Sequence, residues 1–141
     1  MSIPEHSFLF LKQLLDTPGP SGFETDPATL WRNDAAPFAD EIERDLVGNS
    51  YASLHKPNTP LVLLAGHIDE IGIQITHIDD EGYLWFDKIG GWDDIVFIGQ
   101  RIKIIAENGY VIGVIGRKAA HLLKKEDGDK PPKVTDLWID I

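Results

Sequence analysis

The sequence predicts an α/β layer followed by a small, barrel-like β unit, and three observations carry that expectation. Two helical periods open the chain, and a continuous apolar run at 61–66 reads as a strand covered on both faces. Beyond Gly72, short alternating segments separated by turn residues follow one another to the last residue. Helices followed by a buried strand suit a layered α/β fold, and serial short strands suit a small barrel. The change of texture places the boundary so that 1–72 form the first domain and 73–141 the second.

The first helix is expected over 5–16, where Phe8, Leu11, Leu14 and Leu15 share one face. Ser2 and Glu5 have capping-box spacing, with Pro4 tolerated in the first turn. Thr17-Pro18-Gly19-Pro20-Ser21-Gly22 then stops the helix. A second helix is expected from about 24 to 36, with Pro27 near its start, packed against the first. Candidate strands at 41–45, 51–55 and 61–66 are separated by turns at Val47-Gly48-Asn49 and at 57–60.

In the second unit, 71–78 alternates, 79–82 turns, and 83–87 returns as a strand. Segments 101–106 and 110–116 flank Glu107-Asn108-Gly109, a hairpin signal because Asn-Gly tolerates positive φ. Residues 124–132 form a charged, proline-ended loop, and no internal repeat or low-complexity tract occurs. The last five residues, Leu137-Trp138-Ile139-Asp140-Ile141, are strand-like and lack a polar tail. Such a strand is either closed by the rest of the β unit or continues into more chain.

With 141 residues, 43% hydrophobic and 26% charged, the chain has the make-up of a water-soluble globular protein with room for a core. No apolar run approaches the roughly 20 residues that span a bilayer, so no membrane partner is expected. The first residues lack the basic and apolar segments of a secretory signal. Zero cysteines exclude disulfides and thiolate ligands, so a transition-metal site here must use His, Asp and Glu. These features together favour the cytoplasm. A formal net charge of −10 argues against a nucleic-acid partner. The same acidity either draws cationic groups, such as a peptide's amino terminus, or serves solubility alone.

The end of the apolar run carries the chemistry. His67 and Asp69 stand at i and i+2 of an extended segment, which projects them to one side. A neutral imidazole can face a metal there while the carboxylate beside it holds the ring's tautomer and orientation. The bland alternative is a hydrogen-bonded histidine with an aspartate capping the next turn. Ligands of α/β sheets gather at the carboxyl ends of strands, which favours the metal reading. Asp79-Asp80-Glu81 and Asp93-Asp94 read as solvated turns. His6, His55 and His77 fall on a helix, near a turn and in a strand, and His121 reads as packing or loop-anchoring.

Ala65-Gly66-His67-Ile68-Asp69-Glu70-Ile71-Gly72 resembles the first metal-binding motif of the tetrahedral, glutamyl-type metallo-aminopeptidases, a family whose members are sometimes labelled endoglucanases. The likeness continues in order through Pro18-Gly19-Pro20-Ser21-Gly22-Phe23-Glu24 and Asp45-Leu46-Val47-Gly48-Asn49. It runs on through Gly90-Gly91-Trp92-Asp93, Gly99-Gln100-Arg101, Val114-Ile115-Gly116, His121-Leu122 and Asp136-Leu137-Trp138-Ile139-Asp140. Several motifs in one order are far more specific than the His-x-Asp pair alone.

The resemblance implies the N-terminal part of an α/β peptidase catalytic domain, followed by part of an inserted β domain of the kind that mediates dimerisation. It implies a co-catalytic enzyme with two divalent metals, zinc or cobalt, that removes N-terminal residues from peptides. His67 would be a metal ligand and Asp69 would support the site from beside it. A bridging aspartate, a glutamate pair, a further carboxylate and a final histidine would follow beyond residue 141. A zinc site commonly uses at least three protein ligands, so this chain alone is expected to hold metal weakly and turn over little. The alternative is a non-catalytic assembly or binding protein derived from that family. Glycan hydrolysis is weaker, because no pair of carboxylic acids placed across a bond is evident.

Overall fold

Helix α1 spans Glu5–Asp16 in the computed structural model, which describes residues 3–55, 60–123 and 131–141. Ser2 and most of the expected features at 57–60 and 124–132 lie outside the described residues. Pro4, at φ −57°, is the N-cap and forms no side-chain cap bond. At the other end Thr17 closes it twice, its N–H donating to the Leu14 carbonyl (3.3 Å) and its hydroxyl to that of Gln13 (2.7 Å). Helix α2 spans Thr25–Ala35. Pro27 sits in its first turn, where the missing N–H would have no helical acceptor.

The expected packing of the two helices is slight. Helix α1 buries no residue, and Leu15 is 73% exposed. Only Gly19, Pro27 and Ala28 are buried among the described residues up to Glu70. Strands β1 (Glu41–Arg44) and β2 (Ser50–Ser53) form an antiparallel hairpin in the register Glu41↔Ser53 to Arg44↔Ser50. Asp45 builds its turn, accepting from the Val47 and Asn49 amides and the Asn49 side chain while Gly48 takes φ +99°. Arg32 joins α2 to the hairpin by donating to the Ser50 hydroxyl at 2.8 Å.

The apolar run at 61–66 departs from expectation. It is not a strand, and Leu61, Val62, Leu63 and Leu64 are all exposed, Leu64 at 92%. Continuous apolar sequence suits a strand with neighbours on both edges and cover on both faces. Among the described residues, none pairs with 61–66 or covers it. The one β-bridge near its end is the parallel pair Pro20↔Glu70.

The chain divides into two compact units, Met1–Glu70 and Ile71–Ile141. The second is a five-stranded antiparallel sheet of β3 (Gly72–Ile78), β4 (Leu84–Ile89), β5 (Arg101–Ala106), β6 (Gly109–Arg117) and β7 (Leu137–Asp140). Its order is β3-β4-β7-β6-β5, leaving β3 and β5 as edges, so the barrel-like unit is an open half-barrel. The apolar last strand is central, paired with β4 on one side and β6 on the other. Alternate residues Leu84 and Phe86, Leu137 and Ile139, together with Ile115 and Phe97, form the core. Gly113 is required there, because a Cβ would stand 2.5 Å from Ile139 Cγ2.

Two local details differ from the sequence reading. The β5–β6 hairpin closes at Ala106↔Gly109, so Glu107 and Asn108 form its tip, and Gly109 begins β6 at φ +117°. Asp94 is no solvated turn residue: it accepts from Lys88 Nζ at 2.6 Å and from the Val134 amide at 2.8 Å.

Candidate functional site

The site is built by the stop after α1. Pro18 and Pro20 end helical geometry, and the intervening Gly19 lies so close to Pro27 of α2 that a Cβ would meet Pro27 Cγ at 2.5 Å. This loop is stitched to Glu70 three times. The Glu70 amide donates to the Gly19 carbonyl at 2.9 Å, and the Ser21 amide to the Glu70 carbonyl at 3.2 Å. The Gly19 amide donates to Glu70 Oε1 at 3.0 Å. Glu70 is therefore a loop anchor; of the two settings its sequence position suggests, solvent or a neighbouring loop, it takes the second.

Those bonds set Ser21 beside residues 67–69. The Ser21 hydroxyl donates to Asp69 Oδ2, and His67 Nδ1 lies 3.0 Å from both Asp69 Oδ1 and the Asp69 carbonyl. Both partners of Nδ1 are acceptors, so in the neutral ring the proton sits on Nδ1 and the lone pair on Nε2. The His67 side chain is 86% exposed, whereas that of Asp69 is 38% exposed. The Ser21 hydrogen bond, most of all, holds the Asp69 carboxyl below its ordinary 3.8; slight burial opposes this and the His67 ring adds to it. An open cleft borders the pair, lined by Leu14, Leu15, Thr17 and Gly19 and by residues 67–70.

The structure thus brings His67 and Asp69 together and adds Ser21, which lies 48 residues from Asp69 in sequence. His55 pairs with Glu41 at 3.1 Å, His77 stacks on Trp85 and His121 is exposed in a 3₁₀ turn. Among the described residues no three His, Asp or Glu side chains converge as a metal-binding group. His67 Nε2 fits one ligand's place on a metal, with Asp69 as its outer partner, and the described residues do not complete a set.

Residues 48–141 match the model of the M42 glutamyl aminopeptidase family. The chain belongs to that family. It is 36% identical over 123 residues to the lysyl aminopeptidase of Pyrococcus furiosus, covering 85% of this chain and 35% of that protein. The crystal structure of a TET aminopeptidase from the marine sediment archaeon Thaumarchaeota archaeon SCGC AB-539-E09 superposes with a TM-score of 0.92 at 35% identity. That match covers 97% of this chain and 39% of the other. The Pyrococcus horikoshii TET1 peptidase, which can assemble into a tetrahedron or a large octahedral shell, matches at TM-score 0.80 and 35% identity, over 95% of this chain and 40% of its own. The chain therefore spans little more than a third of the length of these relatives, and its mixed α/β fold corresponds to their N-terminal part.

Proposed function

We propose that this chain carries one side of the co-catalytic centre of a metallo-aminopeptidase that removes N-terminal residues from peptides. The observation that carries the reading is the exposed His67 Nε2, left free by the Nδ1 contacts to Asp69, in a chain of the M42 family. His67 is the metal ligand, and Asp69 is the catalytic-site carboxylate that fixes its ring. Two divalent ions, zinc or cobalt, would polarise a scissile carbonyl and activate water, and the ligands needed to hold both are not among the described residues. Residues 1–72 are part of the α/β catalytic domain and 73–141 part of an inserted β domain through which the protein forms homo-oligomers. Assembly of the related TET1 peptidase supports that last step. The absence of cysteine and the strongly acidic charge support a cytoplasmic setting without nucleic-acid partners. No helix of the described residues is long and apolar enough to cross a membrane.

Metal analysis paired with an aminopeptidase assay tests this reading. The 141-residue chain is expected to retain less than one equivalent of zinc or cobalt and to release no amino acid from aminoacyl p-nitroanilides in a chelator-sensitive manner. Stoichiometric metal with such turnover would overturn the incompleteness of its centre. The second reading, a non-catalytic assembly protein, is favoured by a well-packed β unit in a chain whose described residues supply a single ligand. Native material of 15.7 kDa with a defined oligomeric state and no hydrolysis would support it, and a coding region running in frame past Ile141 would defeat it.

A further inference from the structure

His67 has little packing to orient it, since its side chain is 86% exposed. Its restraint is the pair of contacts from Nδ1 to Asp69, one to the fixed backbone carbonyl and one to carboxylate Oδ1. The terminal torsion of an aspartate is broad, so a carboxylate held by one oxygen swings easily. Here the second oxygen, Oδ2, is held by the Ser21 hydroxyl. Ser21 is itself placed by rigid means: the Gly19 and Ser21 backbones are bonded to Glu70, and Gly19 is pressed against the buried Pro27.

We propose that Ser21 is a positioning residue for His67. Its hydroxyl fixes Asp69 Oδ2, keeps Oδ1 on the His67 Nδ1–H, and thereby presents Nε2 as the ring's free nitrogen. The chain of command runs from loop to carboxylate to ring, across residues that sequence reading treats as a helix stop. The consequence for metal binding rests on the proposed role of His67, whereas the tautomer itself can be measured without metal. Because Asp69 is 38% exposed, water replaces part of the lost bond, and the effect of removing Ser21 is graded rather than total.

Long-range proton–nitrogen NMR of the labelled 141-residue chain, at a pH where the ring is neutral, reads the tautomer directly. Wild type is expected to show His67 predominantly as Nδ1–H. Ser21→Ala should move population to the Nε2–H form, and Ser21→Thr, which keeps the hydroxyl, should restore it. Zinc titration followed on the Nε2 resonance should weaken by up to about tenfold in Ser21→Ala, as for loss of an outer partner. An unchanged tautomer in Ser21→Ala, or no restoration by Ser21→Thr, overturns the proposal. Loss of the Gly19 and Glu70 amide resonances in Ser21→Ala also overturns it, because Ser21 would then hold the loop rather than the ring. A Ser21-dependent tautomer on a ring whose Nε2 ignores zinc upholds the positioning and sinks the ligand role of His67.

Discussion

The units Met1–Glu70 and Ile71–Ile141 are nearly equal in length and both expose large apolar side chains, yet the cluster of buried ones lies in the second. The second buries Leu84, Phe86, Phe97, Ile115, Leu137 and Ile139 in one cluster, whereas the first leaves Phe8, Leu15 and the ribbon at 61–64 exposed. The difference follows from the range of the pairing each requires. Antiparallel strands joined largely by short connections find partners near in sequence, and alternation gives each strand one face for the core. A continuous apolar run has no polar face to offer water and depends on neighbours supplied from elsewhere. The lesson is that the pattern of a segment records the environment it suits, which this chain meets in one unit and leaves unmet in the other.

The sharpest way to break the comparison is truncation of one aliphatic side chain in each unit. Ile139→Ala empties a fully buried position and is expected to cost about 2–5 kcal/mol, from lost transfer energy and the cavity left behind. Leu63→Ala removes a side chain that is 79% exposed and should change stability by less than about 0.5 kcal/mol. Urea unfolding followed by tryptophan fluorescence reads the β unit, which holds Trp85, Trp92 and Trp138. Trp31 reports on the first unit. Equal losses at the two positions would mean that 61–64 is covered in solution.

What the sequence made legible divides by the range of the interaction rather than by unit. Helix α1 and strand β5 fall where their periods place them, because amphipathic spacing is a local property. The segment at 61–66 was misread as a strand because strand formation needs a partner that no local pattern contains. The central place of β7 was also hidden, since strand order depends on pairing across the unit. At the site, the i, i+2 spacing of His67 and Asp69 was visible and their 3.0 Å contact agrees with it. Ser21 was not. A serine between Pro20 and Gly22 reads as punctuation, and its contact with Asp69 spans 48 residues.

A smaller effect, from the opposite substitution, sharpens the contrast. Gly113→Ala adds a methyl group 2.5 Å from Ile139 Cγ2 and 3.2 Å from the Asp140 carbonyl, so β6 and β7 must part or repack. Overpacking of this kind is expected to cost about 1–3 kcal/mol. Gly66→Ala meets nothing within 4 Å and should leave unfolding nearly unchanged. Amide hydrogen exchange separates the two: Gly113→Ala should speed exchange through β6 and β7, while Gly66→Ala should leave every protected amide as it was. Faster exchange caused by the Gly66 change would reveal packing around the apolar run.

The smallest predicted effect is electrostatic and distinguishes how the β unit is held at its rim. Asp94 accepts from Lys88 Nζ and from the Val134 amide, and the Lys88 bond is the chief cause that holds its carboxyl below the ordinary 3.8. A carboxyl depressed in the folded state binds its proton more readily when unfolded. Its contribution is therefore complete above the ordinary value and is lost as pH falls through the depressed one. Unfolding midpoints of the β unit should hold steady from neutral pH to about 5 and fall below 4. Asp94→Asn should lower the neutral midpoint and flatten that acid slope, because the amide keeps an acceptor for Val134 but loses the charge facing Lys88. The flattening will be partial, since Asp79 is held down in the same unit, chiefly by the Trp85 indole N–H at 2.9 Å. An acid slope identical in wild type and Asp94→Asn would show that Lys88 and Asp94 do not pair in solution, and that the apolar cluster alone accounts for the difference between the two units.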